Sequence, residues 1–316
     1  MQGPSPVSIV VPVYNSEKSL GILFERLQKV FLAKGCDFQL ILVDDGSRDG
    51  SWSVVRELAA SHANVRGIRM LRNYGQHNAL LCGIRAAQNP IIVTMDDDLQ
   101  NPPEEIPRLL EHLGAEYDVV YGAPENERHG IWRDLASQIT KIVLENAMGA
   151  QTARQVSAFR AFRRPITLAF QDFRSPYVSI DVLLTWGTQR FTAVRVRHDP
   201  RALGPSNYTV GKLIRHALNM MTGFSTLPLQ VASLLGFAMT LGGVLALVWV
   251  LTMYLIHGSV VPGFYFLACI ISIFSGTQLF AIGIIGEYLA RIHLRTMDRP
   301  SYAVGATTDF RDYAAG

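Results

Sequence analysis

Residues 7–15 read VSIVVPVYN. The first seven of them, Val7–Val13, are almost all apolar and lack the polar alternation of a half-exposed strand, so they predict a strand that is buried on both faces. Similar stretches lie at residues 39–44 (QLILVD) and 91–95 (IIVTM). Strands of this kind belong to parallel sheets that are covered by helices. The sequence therefore predicts an α/β fold.

The segments between these strands have the period of amphipathic helices. Apolar residues recur every three or four positions over residues 17–33, as on the buried face of a helix. Further helices are predicted at 51–60, 78–88 and 103–113, and further strands at Val65–Met70 and 118–121. This alternation predicts a Rossmann-like, mainly parallel sheet. Such sheets bind ligands at the carboxyl ends of their strands.

Three of these strand ends carry polar or acidic residues: Pro12-Val13-Tyr14-Asn15, Asp44-Asp45-Gly46-Ser47 and Asp96-Asp97-Asp98-Leu99-Gln100. Three consecutive carboxylates repel one another unless a cation neutralises them. Asp96, Asp98 and Gln100 alternate along the chain and can therefore point the same way. Oxygen ligands of this type suit Mg²⁺ or Mn²⁺, usually shared with substrate phosphates. A solvated acidic turn is the alternative interpretation.

Other catalytic motifs are missing from the sequence. It contains no Walker A motif, no GxGxxG after a strand and no GxSxG elbow. Residues 45–50 (DGSRDG) resemble the start of a calcium loop, but the twelfth position holds Arg56 where an EF-hand requires Glu. His77 is predicted to be a loop or helix-start residue rather than a catalyst.

Composition excludes several classes of protein. Of 316 residues, 49% are hydrophobic and only 17% are charged, and the mean hydropathy is +0.18. Disorder requires far fewer apolar residues, and soluble domains usually carry about 25% charged residues. The three cysteines are too few and too scattered for a disulfide framework or a four-ligand zinc site.

The net charge of +3 conceals three unequal blocks. Residues 1–127 have a net charge of −6, residues 128–215 of +9, and residues 216–316 of 0. A basic block of this size can bind nucleic acid, but no recognition motif accompanies it, and it adjoins an apolar region. The sequence therefore predicts no nucleic-acid partner.

That apolar region contains two long uncharged runs, residues 231–256 and 260–286. A membrane-spanning helix needs about 20 apolar residues, and the short connection makes the two runs a hairpin. Basic residues flank its outer ends, while the connection has no Lys or Arg, and positive flanks mark the cytoplasmic side. We expect an integral membrane protein with two transmembrane helices, both termini in the cytoplasm and no signal peptide.

The predicted domain organisation follows these boundaries. Residues 1–205 form the cytoplasmic α/β domain, 206–230 the juxtamembrane amphipathic helices, 231–290 the transmembrane hairpin and 291–316 a cytoplasmic tail. Within the basic block, residues 132–147 have a helical pattern that places Arg133, Ser137 and Lys141 on one face, which is either a solvated face or a phosphate site. Residues 210–221 predict a second basic amphipathic helix, whose apolar face lies at the membrane interface or packs on the α/β domain.

Several motifs together resemble a family-2 glycosyltransferase with a GT-A fold. They are VSIVVPVYNSE (7–17), LILVDDGSRDG (40–50), RNYGQHNALLCGI (72–84), VTMDDDLQNPPEEIPRLL (93–110), GPSNY (204–208) and FSTLPL (224–229). With the hairpin, they make the chain similar to polyprenyl-phosphate glycosyltransferases. This group includes the dolichyl-phosphate mannose synthase-like enzymes, bactoprenol glucosyltransferases and undecaprenyl-phosphate aminoarabinose transferases.

The resemblance implies an inverting transfer of one sugar from a nucleotide-diphosphate sugar, with UDP favoured, to a polyprenyl phosphate at the inner membrane of a bacterium. Relatives assemble as tetramers. It implies that Asp96, Asp98 and Gln100 bind Mg²⁺ or Mn²⁺, and that Asp96, Asp98 and Arg133 are catalytic. It implies donor-nucleotide contacts by Pro12, Tyr14, Glu17, Asp45 and Asp97. It implies acceptor-phosphate contacts by Arg128, Arg133, Ser137, Arg160, Arg201, Ser206 and Lys212.

One departure from the family pattern concerns the acceptor loop. Many relatives carry G-D-F-R there, whereas this chain reads Ser157-Ala158-Phe159-Arg160, with no Asp or Glu between Glu145 and Asp172. A lipid phosphate is already an anionic nucleophile at neutral pH. Either no general base is needed, or another residue such as Asp97 acts as the base. Transfer to another lipid such as diacylglycerol, and an inactive membrane scaffold, are the alternative functions.

Overall fold

The computed structural model describes residues 5–124, 155–175, 177–200, 227–257, 263–297 and 299–308. The chain folds into two compact units. The sheet unit comprises Met1–Ala217 together with Asp298–Gly316, and the hairpin unit comprises Leu218–Met297. The predicted domain boundaries at 205, 230 and 290 remain predictions.

An eight-stranded sheet organises the described part of the sheet unit. Its strands are β1 (Val7–Val13), β2 (Phe38–Asp44), β3 (Val65–Met70), β4 (Ile91–Thr94), β5 (Val119–Pro124), β6 (Arg160–Arg163), β7 (Phe191–Val196) and β8 (Val304–Thr307). They lie in the order β7-β5-β6-β4-β1-β2-β3-β8. The pairs β1–β2, β1–β4, β2–β3 and β5–β7 are parallel, whereas β6 and β8 run antiparallel to their neighbours. The predicted mainly parallel sheet is confirmed.

Among the described helices of the sheet unit, the first four alternate with strands as predicted, and the fifth was not predicted. They are α1 (Leu20–Lys34), α2 (Ser51–Ser61), α3 (Gln76–Ala86), α4 (Ile106–His112) and α5 (Ile180–Gly187). The predicted helix at 103–113 divides into a 3₁₀ turn, Pro103–Glu105, and α4. A second 3₁₀ segment, Arg164–Phe170, precedes α5. Helix α1 ends where Gly35 adopts a φ of 59° and its N–H bonds back to the last turn, as left-handed glycine caps do.

The core lies where the first helices cover the central strands. Every residue of β1 is buried, and α1 presents five buried apolar side chains: Leu20, Leu23, Phe24, Leu27 and Phe31. Helix α3 approaches β1 so closely that a Cβ at Gly83 would overlap the Val10 side chain. This packing places the first turn of α3, and the loop before it, beside the carboxyl ends of β1 and β2.

A buried charge pair joins the antiparallel strand β6 to α5. Arg160 is 1% exposed, and its guanidinium forms an ion pair with Asp181. Its Nε donates to Thr94 Oγ1 at 3.0 Å, and the Tyr121 hydroxyl donates to Asp181 Oδ1 at 3.1 Å. Burial raises the pKa of Tyr121 well above its usual range. The network links β4, β5, β6 and α5.

The C-terminal region adds a strand that sequence patterns did not predict. Residues 304–307 form β8, which pairs with β3 at one edge of the sheet. The chain thus returns to the sheet unit after the apolar helices.

The hairpin unit contains two long apolar helices, α6 (Leu227–His257) and α7 (Phe264–Thr296). Within them, Leu229–Ile256 and Ile273–Ala290 are long and apolar enough to cross a membrane. Many of their large apolar side chains are exposed. The two helices pack together at Gly243, where a Cβ would lie 2.7 Å from the Phe274 ring, as small residues at helix crossings allow.

We predict that Asp181→Ala destabilises the protein by about 3–5 kcal/mol, because it leaves the Arg160 charge buried without its partner. The melting temperature in detergent should then fall by roughly 6–15 °C. Asp199→Ala is the matched control, since Asp199 pairs with Arg197 at the surface and such pairs contribute less than about 1 kcal/mol. Equal melting temperatures for the two variants would contradict this role.

Candidate functional site

The carboxyl ends of β1, β2 and β4 border a cavity of about 270 Å³. Its lining consists of Pro12, Val13, Tyr14, Asp45, Asn73, Gly75, Gln76, Asp96, Asp97 and Asp98. Six of these residues were predicted from the sequence as metal or nucleotide ligands. The strand-end loops therefore meet, as the parallel topology requires.

Asp45 lies at the end of β2 and is only 3% exposed. Its two oxygens accept backbone N–H groups from the β3–α3 loop, Oδ1 from Tyr74 at 2.7 Å and Oδ2 from Gly75 at 2.8 Å. Burial raises the pKa of Asp45 to about 6, although these two hydrogen bonds oppose the rise. Gly75 has a φ of 96°, which L side chains rarely adopt.

Asp97 joins the loop after β4 to the loop after β1. Its Oδ2 accepts the backbone N–H of Tyr14 at 3.1 Å and the hydroxyl of Ser16. Burial raises the pKa of Asp97 to about 6. Asn15, between the two donors, has a φ of 55°, a conformation that Asn tolerates better than most residues. Asp97 thus holds the β1 loop against the acidic loop.

Asp96 and Asp98 line the same cavity on either side of Asp97. Asp96 Oδ1 accepts the Gln76 side-chain amide at 2.6 Å, and Asp98 Oδ1 accepts the Gln100 backbone N–H at 3.2 Å. Within the described ranges, no cluster of three His, Cys, Asp or Glu side chains forms a ready-made metal cage. The donor set fits a hard divalent cation that completes its coordination with phosphate oxygens and water, as Mg²⁺ commonly does.

Three predicted ligands lie elsewhere in the sheet unit. Gln100 is not among the residues that line the cavity, and its backbone oxygen accepts the Asp199 N–H at 2.8 Å. Glu17 accepts the Gly50 N–H at 3.1 Å and so braces the β2–α2 loop. Arg160 is buried, and its guanidinium pairs with Asp181; its contact with an acceptor phosphate remains a prediction.

Most of the predicted acceptor site falls outside the described residues. The predicted acceptor residues outside the described ranges are Arg128, Arg133, Ser137, Arg201, Ser206 and Lys212. The helices predicted at 132–147 and 210–221 are also outside them. These assignments therefore remain predictions.

Sequence reasoning missed the role of the β3–α3 loop. Asn73 and Gly75 line the cavity, and Gln76 binds Asp96. Gly75 directly before a helix was the one available signal, since the loop acts mainly through backbone N–H groups. His77 lies in the first turn of α3, as predicted, and its Nδ1 accepts the Ile180 N–H at 3.4 Å.

The site groups four carboxylates at the carboxyl ends of parallel strands, and this donor set fits a divalent cation. Residues 8–168 match the family described as Glycosyl transferase family 2. The chain belongs to this family.

Curated relatives match along almost the whole chain. One is the undecaprenyl-phosphate 4-deoxy-4-formamido-L-arabinose transferase of Pseudomonas paraeruginosa, which is 35% identical over 94% of this chain and 89% of its own length. The protein of the same name from Proteus mirabilis is 36% identical over 94% of this chain and 92% of its own length.

Solved structures share the GT-A fold. Glucosyl-3-phosphoglycerate synthase from Mycobacterium tuberculosis, in complex with Mn²⁺, UDP and phosphoglyceric acid, has a TM-score of 0.51 and 18% identity, over 69% of this chain and 76% of the other. The same enzyme with Mg²⁺ and UDP also has a TM-score of 0.51, at 16% identity, over 69% of this chain and 77% of the other. At this identity, the likeness concerns the fold.

We predict a pH-dependent stability difference between the wild type and Asp45→Asn. The folded-state pKa of about 6 lies above the ordinary 3.8, so protonation of Asp45 favours the folded state. This contribution is complete below about pH 4 and is lost as the pH rises through 6. Relative to the wild type, the melting temperature of Asp45→Asn should therefore rise from pH 4.5 to pH 7. Thermal unfolding with chelator and without nucleotide measures the difference, and a constant difference would refute the assignment.

Proposed function

We propose that this protein transfers a single sugar from a nucleotide-diphosphate sugar to the phosphate of a polyprenyl phosphate at the cytoplasmic face of a membrane. One observation carries the proposal: the acidic residues Asp45, Asp96, Asp97 and Asp98 line one cavity in a chain that continues into two helices long enough to cross a membrane. The curated relatives, named undecaprenyl-phosphate 4-deoxy-4-formamido-L-arabinose transferases, support the same reaction class.

The donor half of the site supports a UDP-linked sugar. Asp96 and Asp98 would hold Mg²⁺ or Mn²⁺, which when bound neutralises diphosphate charge and stabilises the leaving nucleotide. Asp45 and Tyr14 border the same cavity, where they would contact the nucleoside. The structural neighbours that contain UDP with Mn²⁺ or Mg²⁺ have the same fold and support this choice.

The acceptor half would use the basic block. A lipid phosphate oxygen would attack the anomeric carbon as the bond to the nucleotide breaks, and attack from the opposite side inverts the configuration. Arg133 and its basic neighbours would hold the lipid phosphate in line with the sugar. Ala158 stands where many relatives carry an acid, and its backbone oxygen accepts the Thr94 hydroxyl at 2.7 Å. We therefore favour a phosphate nucleophile that needs no side-chain base.

The connection between the two units supports the proposed topology. Strand β8 follows α7 and pairs with β3 in the sheet unit, so the chain leaves that unit and comes back to it. Two membrane crossings by α6 and α7 meet this requirement. The basic flanks of the hairpin favour the cytoplasmic side for the sheet unit. Assembly as a homo-oligomer, such as a tetramer, remains a prediction.

We predict metal-dependent formation of a lipid-linked monosaccharide. Membranes that contain the protein should convert undecaprenyl phosphate when supplied with a panel of labelled UDP- and GDP-sugars, in which UDP-4-deoxy-4-formamido-L-arabinose is the first to test. EDTA should abolish the product, and NMR should show an inverted anomeric centre. Asp98→Asn should lower kcat by roughly 100-fold or more, since an electrostatic contact to the leaving group is lost. Asp199→Asn at the surface serves as the control.

The outcomes of this assay separate the alternatives. Product formed on diacylglycerol instead of the polyprenyl phosphate would favour another lipid acceptor. No metal-dependent product with any donor would refute the proposed transfer. In that case, full cellular function of Asp98→Ala would favour a membrane scaffold.

We further predict that Arg133→Ala raises the KM for undecaprenyl phosphate by at least about tenfold, because a charge-assisted contact to phosphate contributes roughly 1.5–3 kcal/mol. The Kd for UDP, measured by calorimetry, should change less than threefold. Arg133→Lys should restore part of the loss. Equal losses for lipid and nucleotide would contradict the assigned role.

A further inference from the structure

We propose that residues 299–308, called the return segment below, hold the β3–α3 loop in its nucleotide-binding conformation. This inference deepens the proposed function and rests on its donor site. The return segment would make the donor site depend on the part of the chain that comes back from the apolar helices.

The return segment is fixed to the sheet unit along its length. Its strand β8 pairs with β3, with Ile68 opposite Thr307 and Arg69 opposite Ala306. Thr308 bonds twice to Gly67: its N–H donates to the Gly67 oxygen at 3.0 Å, and its Oγ1 accepts the Gly67 N–H at 3.0 Å.

Contacts before β8 extend this attachment. Ser301 is 4% exposed, and its hydroxyl oxygen accepts the Ser175 N–H at 3.2 Å. The Arg85 guanidinium lies 5.8 Å from the centre of the Tyr302 ring. The return segment thus contacts α3 and the segment before α5 as well as β3.

A backbone hydrogen bond connects the return segment to the first residue of the β3–α3 loop. The N–H of Leu71, the first residue after β3, donates to the Ala303 oxygen at 2.9 Å. At the other end of the loop, the Asn78 side chain donates to the Tyr74 oxygen at 2.7 Å. The return segment therefore holds the beginning of the β3–α3 loop, and the first turn of α3 holds its end.

The loop between these two attachments shapes the donor cavity. Tyr74 and Gly75 donate their N–H groups to Asp45. Gln76, directly after the loop, donates to Asp96 at 2.6 Å. The loop also packs on the β2 loop, since a Cβ at Gly46 would lie 2.8 Å from the Arg72 carbonyl carbon. Displacement of the loop would disturb the proposed nucleoside and metal positions together.

The return segment is also close to α7 along the chain. Only four residues separate Thr296, the last residue of α7, from the buried Ser301. Because the return segment follows α7, a truncation between them removes the segment and leaves α6 and α7 in the chain. The contribution of the segment can therefore be tested separately.

The test uses the protein in detergent with Mn²⁺ and UDP. Truncation after Met297 removes the return segment, and truncation after Thr308 is the matched control because it keeps every described residue of the segment. We expect the first truncation to raise the Kd for UDP at least tenfold. Amide exchange at residues 71–75 should accelerate at least tenfold, while Val7–Val13 keeps its protection. The control should stay within twofold of the wild type, and a synthetic peptide of residues 299–308 should restore binding.

Each outcome gives a decision. A folded truncation after Met297 with wild-type UDP affinity and wild-type exchange at 71–75 overturns the inference. If wild-type protein fails to bind UDP, the donor assignment fails, and the exchange measurement alone decides whether the return segment holds the loop.

If the truncated chain does not fold, Thr308→Pro replaces it, because proline removes both bonds to Gly67. That variant should raise the Kd at least threefold, and an unchanged Kd together with unchanged exchange overturns the inference.

Discussion

A buried carboxylate is stable only when hydrogen-bond donors replace the water that it has lost. Asp45, which is buried, and Asp97, which is half-buried, impose this constraint at the carboxyl edge of the sheet. The donors to Asp45 come from the β3–α3 loop, and the donors to Asp97 come from the β1 loop. Each acid therefore joins its own loop to another one. These bonds shape the cavity, and burial raises the pKa of both acids to about 6.

The sequence predicts strands β1 to β5, because they are apolar and separated by helices of clear period, but it does not predict β7, which pairs parallel with β5. The predicted bounds of β1 and β3 equal the observed ones. The antiparallel strands β6 and β8 have four residues each, and they exist because distant chain segments pair with them. The acids of the cavity follow from the strand-end rule. Asn73 and Gly75 do not, because backbone donors leave no signature in the side-chain pattern.

Arg160 shows that a net charge does not reveal which cations already have an acidic partner. It belongs to the block with a net charge of +9, yet it is buried with Asp181. Arg190 and Arg163 of the same block pair with Asp118 at 2.6 and 3.6 Å. A buried ion pair contributes little more stability than apolar packing of the same volume. Its effect here is to fix geometry: Arg160 pairs with Asp181 of α5 and donates to Thr94 of β4, two residues before Asp96. At least three cations of the block therefore already have an acidic partner within the described sheet unit.

Strand β8 meets a second physical need. Without it, β3 would be an edge strand with unpaired backbone groups, and such edges favour pairing between chains. The return segment covers that edge and places one further bond on Leu71, beyond the last strand pair. Edge protection needs only the strand pairs, whereas the bond to Leu71 serves the loop that carries Tyr74 and Gly75. The return segment follows the apolar helices in the chain. When it pairs with β3, it completes the sheet and fixes the start of the donor loop at the same time.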